Sequence, residues 1–150
     1  ALAVLSAAAL GWAGWRWAAP PTTLSGDWQA TLVRGEQVLM TLTQDGDSLT
    51  LASAPLPLAG RADWDDYRGF WRQRMGAELL AFSYRGQGQV VVAPGQATRI
   101  DIALQLLSSP GDELIDSGNL SARLSADGRR LEGRIWLNSA QADWPALLQR

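Results

Sequence analysis

The sequence predicts an all-β domain, a single meander barrel or a sandwich of about eight antiparallel strands. Three observations carry that expectation. Apolar and polar residues alternate with a period of two over several separate stretches, the pattern of strands with one face buried. Two of these stretches are joined internally by Asp-Gly turns, at Asp45-Gly46 and Asp127-Gly128. At 47% hydrophobic and 19% charged, the chain has enough apolar side chains to fill one core.

Gly26 to Val33 places Trp28, Ala30 and Leu32 on one face and Asp27, Gln29 and Thr31 on the other. Val38, Met40 and Leu42 continue the device, followed after the turn by Leu49 and Leu51. Leu79 to Tyr84 and Gln89 to Ala93 read as two further strands separated by Gly86-Gln87-Gly88. Ile100, Ile102, Leu104 and Leu106 form one apolar row, and Leu120, Ala122 and Leu124 the next. Leu131, Gly133, Ile135 and Leu137 close the series, and Trp136 falls on the opposite, outward face.

One insertion interrupts the alternation. Trp64, Tyr67, Trp71 and Met75 recur at spacings of three, four and four, which predicts a short helix near 63–76 despite Gly69. Asp63 is placed to cap its start and Gly76 to end it. The last stretch, Ala140 to Arg150, reads as another short helix docked through Trp144, Leu147 and Leu148.

Ahead of the β domain (25–150) lie a 20–24 linker containing Pro20-Pro21 and an apolar segment, 1–19, read as a transmembrane or signal-anchor helix. Fifteen residues precede Arg16, short of the roughly 20 that span a bilayer. Trp12, Trp15, Arg16 and Trp17 form the kind of cluster that the membrane interface favours. A cleaved signal peptide and a buried helix are the rival readings. An anchor would place the β domain on the periplasmic or extracellular side.

The opening of the first strand, Gly26-Asp27-Trp28, resembles the Gly-x-Trp start of lipocalins and related calycin barrels. That resemblance spans roughly residues 24–138. It implies a barrel with its tryptophan at the closed end, and it raises the prospect of a small bound ligand. Bacterial effectors joining membrane helices to such a barrel sense cyclic nucleotides. By that analogy Arg72, Arg85 or Arg99 would converge on a phosphate inside the barrel.

Composition narrows the chemistry. The chain has no histidine, cysteine or lysine; all 13 basic residues are arginine. The usual ligands for zinc, copper, haem and iron–sulfur sites are therefore missing, as are cysteine nucleophiles, histidine triads and lysine Schiff bases. A net charge of −2 with scattered arginines argues against a nucleic-acid polymer as partner. Asp63, Asp65 and Asp66 could serve acid–base chemistry but suit a helix N-terminus, and Asp112, Glu113 and Asp116 read as a solvated turn.

The expectation is thus a non-enzymatic, membrane-anchored barrel, without metal or cofactor, acting as an accessory or assembly subunit of a membrane protein complex. Its partners would be membrane lipid and another protein. A small-ligand or nucleotide-sensing domain is the alternative. The contact residues predicted are Trp64, Tyr67, Arg68, Trp71, Arg72 and Trp136.

Overall fold

In a computed structural model, which describes residues 23–150, the alternating segments form a closed antiparallel barrel. Its strands are β1 (Gly26–Thr31), β2 (Gln37–Asp45), β3 (Ser48–Ser53), β5 (Ala81–Val91), β6 (Arg99–Ser109), β7 (Leu114–Leu124), β8 (Arg130–Leu137) and β9 (Ala142–Gln149). A two-residue β4 (Leu56–Pro57) pairs with the start of β5. Neighbours in sequence pair in turn, and two contacts complete the ring. β9 pairs with β1, and Ser48–Ala52 of β3 pair with Arg85–Gln89 of β5. Closure removes the edges that a sandwich would leave open. The apolar segment 1–19 and the interface residues Trp12, Trp15, Arg16 and Trp17 lie outside the described residues. Among the described residues no helix is long and apolar enough to cross a membrane.

The inward positions form one continuous core. Trp28, Met40, Leu42, Leu49, Ile100, Leu120, Leu131, Ile135 and Leu148 are all buried within it. Trp28 lies near the end of the barrel opposite the inserted helix. Its indole N–H donates to the Leu24 carbonyl at 2.9 Å, and the Arg150 guanidinium lies 4.5 Å from its ring.

Two expectations are corrected. Gly86-Gln87-Gly88 is no turn, because β5 runs unbroken through it and pairs with β6 from Ala81 to Val91. The C-terminal stretch is the strand β9, not a helix; Ala146 and Leu148 point inward and Trp144 is half-buried.

Gly86 and Gly88 face the core in register with Leu104 and Ile102, and Gly118 and Gly133 do the same on β7 and β8. A Cβ on Gly118 would sit 1.8 Å from the Trp136 carbonyl oxygen, so bare backbone is required where the wall bends. Gly118→Ala is expected to destabilise the barrel by about 1–3 kcal/mol in urea unfolding. Gly69→Ala, in a helix with nothing within 4 Å of the new methyl, should instead stabilise it by about 0.5–1 kcal/mol.

Candidate functional site at the helix-capped end

The connections β1–β2, β3–β5, β6–β7 and β8–β9 gather at one end of the barrel. The longest carries a 3-10 turn, Ala62–Trp64, running into helix α1 (Asp65–Met75). Asp65 and Asp66 in its first turn and Arg72 and Arg74 in its last complement the helix dipole. Gly76, at φ 66°, ends it with its N–H on the Arg72 carbonyl. Asp63 makes no capping bond and belongs to the preceding turn; Trp64 occupies the cap position.

Trp64, Tyr67 and Trp71 are buried and close this mouth. An aromatic chain runs inward from them: Trp64 lies 5.0 Å from Tyr67 and 4.8 Å from Phe82, and Phe82 lies 5.3 Å from Tyr84. Arg34, in the β1–β2 turn, stacks over Trp64 at 5.0 Å and pairs with Asp66 at 3.2 Å, so this turn clasps the helix from outside.

Two buried carboxylates lie beneath this cap, Glu36, which the sequence reading passed over, and Asp116. Glu36 is buried at 3% exposure; it accepts a hydrogen bond from the Tyr84 hydroxyl, and its Oε2 has no partner among the described residues. Burial raises its pKa to about 7, against the opposing pull of the Tyr84 bond and the Arg61 charge. Burial likewise holds the Tyr84 hydroxyl well above its ordinary value. Asp116, expected in a solvated turn, is instead inside β7 and buried. Its Oδ2 accepts from Tyr67 Oη at 2.8 Å and Ser139 Oγ at 2.5 Å. Its Oδ1 accepts the backbone N–H groups of Ser117 and Ser139, at 2.8 and 3.1 Å.

Four accepted hydrogen bonds use the full acceptor capacity of a carboxylate. Asp116 therefore has no lone pair to spare as a base, and the cluster acts as a latch bolting α1 to β7 and the β8–β9 turn. Burial and the neighbouring Asp116 raise the Tyr67 pKa, so its hydroxyl stays a donor at any ordinary pH. Tyr67→Phe should cost about 1–2 kcal/mol, because it leaves Asp116 one donor short. Faster amide exchange confined to α1 would accompany the loss.

Of the other predicted contacts, Arg68 bonds Asp65 and Glu78 at 3.4 and 3.3 Å, and Arg72 reaches Glu78 at 3.5 Å. Trp136 is not part of this end cluster; it lies on the outer wall of β8, its indole N–H on Asn138 Oδ1 at 2.9 Å. Arg72, Arg85 and Arg99 do not converge. All three are exposed, with Arg85 on Asp112 and Arg99 on Asp101, both at 3.2 Å. Among the described residues no group of three metal-ligating side chains forms.

Beside the latch a cleft of about 280 Å³ opens between α1 and the barrel, lined by Asp66, Tyr67, Phe70, Ile115, Ser139 and Ala140. Phe70 is 54% exposed and Leu114, at the start of β7, 58%. Met75, the last residue of α1, and Leu80, on the segment leading from α1 into β5, are exposed as well. Of the six large apolar side chains standing out to solvent among the described residues, only Val92 lies away from this end and its connections. Comparison with protein-family models, with curated proteins and with solved structures finds no match to this chain.

Proposed function

We propose that the chain is a non-enzymatic barrel, tethered to a membrane by its N-terminal apolar segment, that serves as an accessory or assembly subunit of a membrane protein complex. In this reading the helix-capped end meets the partner. The observation that carries it is the gathering of Phe70, Met75, Leu80 and Leu114 at that end, outside a core that is already filled. Exposed apolar residues collected in one region, rimmed by arginines and acids, are the usual mark of a protein contact. The latch supports the same reading, since it presents α1 as a fixed surface rather than a mobile lid.

A lipocalin-like ancestry fits the eight-stranded closed barrel and the buried Trp28 of the Gly26-Asp27-Trp28 opening. A ligand inside the barrel has less support, because the interior is occupied by leucine, isoleucine and aromatic side chains. The tether rests on Trp12, Trp15, Arg16 and Trp17 in the apolar segment, and the periplasmic or extracellular placement on the commoner arrangement of a short N-terminal tail followed by an exported β domain. Extraction of the intact protein from its native membrane in mild detergent should recover it with a stoichiometric protein partner. Recovery solely as an isolated monomer would refute the assignment.

A further inference from the structure

The outer wall carries a second concave surface, whose Ser117 and Asn138 edge adjoins the latch residues Asp116 and Ser139. A groove of about 670 Å³ crosses β3, β5, β6 and β7 and is lined by Thr50, Arg85, Gln87, Gln105, Asn119 and Asn138, among others. A second trough of about 500 Å³ shares Gln87, Ala103 and Asn119 with it and runs on toward Gln89, Asp101 and Ser121. Its floor follows from the glycines already described. Leu51, Gly86, Leu104, Gly118 and Leu137 form one cross-strand row. Two of the five have no inward side chain, so the wall sinks toward the core and is hollowed on its outer side.

The chemistry of this hollow differs from that of the wall around it. Elsewhere the outer face carries paired charges: Arg130 with Glu132 and Arg134 with Asp143. Arg85, the one arginine lining the larger groove, is matched by Asp112. The remaining polar side chains of the larger groove are neutral amides and hydroxyls, and Asp101, on the second trough, is matched by Arg99. Gln87, Gln105 and Asn119 make no side-chain hydrogen bond to another described residue, which leaves three amides with donors and acceptors free. Trp136 stands directly across the ladder from Asn119, half-exposed, its indole held by Asn138, whose amide donates to Ser117.

We infer that this trough binds a neutral, linear oligosaccharide through Gln87, Gln105 and Asn119, with Trp136 flanking it. Amides that donate and accept match the paired character of sugar hydroxyls, and an indole face accepts the apolar face of a pyranose ring. The volume falls within the range of small-ligand sites, and the elongated shape fits a chain better than a single ring. An extended peptide would need an unpaired strand edge, and β3, β5, β6 and β7, which form the trough, are each paired on both sides. An anionic polymer would need unmatched arginines, and Arg85 is matched.

The test is a titration of the full chain in mild detergent with cello-, chito-, malto- and laminarihexaose, each to ~10 mM, the weak end of specific binding. An oligogalacturonate serves as the anionic control. Saturable shifts of the Gln87, Gln105 and Asn119 side-chain amides and of the Trp136 indole, with at least one neutral hexaose, are the expected result. Combining Gln105→Ala with Asn119→Ala should weaken that binding roughly tenfold or more, since each lost hydrogen bond is worth about 1 kcal/mol. Both positions are exposed, so the melting temperature should not move. Absence of shifts with all four hexaoses overturns the inference, as do tighter binding of the oligogalacturonate and unaltered affinity in the double variant.

Discussion

Raising the pH from about 5 to about 8 is expected to destabilise the barrel, by up to about 3 kcal/mol from Glu36 alone. Burial raises its folded-state pKa from 4.5 to about 7. Between those two values the folded state holds a proton that the unfolded chain has released. Stability therefore falls as pH climbs through this window and levels off above it; below about 4.5 the group makes no difference. Tyr84 and the Arg61 charge limit the penalty without removing it. Asp127 and Asp143, whose carboxyls are held below 3.8 by hydrogen bonds from Ser125 and Arg134, titrate outside the window. Urea unfolding at the two pH values reads the effect, and Glu36→Gln should flatten it. Equal pH slopes in the two proteins would show that Glu36 does not carry the dependence.

The largest loss from a single truncation is expected at Trp28. Its ring is fully buried, its N–H is satisfied by Leu24, and Arg150 covers its outer side. Trp28→Ala should cost about 3–5 kcal/mol, through lost burial and the cavity left behind. Against a typical total of about 5–15 kcal/mol, that leaves the fold marginal. Trp28→Phe keeps much of the volume and should cost less, with the Leu24 carbonyl left unpaired. Denaturant midpoints of the three proteins rank these outcomes; a Phe variant as unstable as the Ala variant would mean that the indole N–H matters more than the ring.

The barrel was legible because inward and outward residues alternate cleanly along most strands. Where the reading failed, a local signal outweighed that phase. Gly86 and Gly88 look like a turn, yet they are inward positions of β5 that a curved wall keeps free of side chains. In β9, Trp144, Leu147 and Leu148 mimic helical spacing, and Pro145 argues against a strand. That proline is tolerated because β1 pairs only with Leu147–Gln149, leaving one side of Pro145 without a ladder.

The latch was the least legible part of the site. Counting back in twos from Leu120 passes Gly118 and reaches Asp116; counting back from Val38 reaches Glu36. The period-two phase thus places both carboxylates inside. Pro110-Gly111 ahead of Asp116 pointed to a solvated turn instead. Tyr67, Trp64 and Trp71 were visible as a helical stripe, but Asp116, the partner of Tyr67, lies 49 residues away in sequence, and Phe82, against Trp64, lies on a separate strand, at separations that no local pattern encodes.

The proposal that the helix-capped end meets a protein partner is tested most directly by site-specific photocrosslinking in the native membrane. A crosslinking residue is placed at Phe70, at Leu114 and, as a control, at Val92, which is 74% exposed beyond the far end of β5. Adducts to one protein from positions 70 and 114, with none from 92, are the predicted result. Adducts from 92 alone, or equal labelling from all three positions, would contradict it.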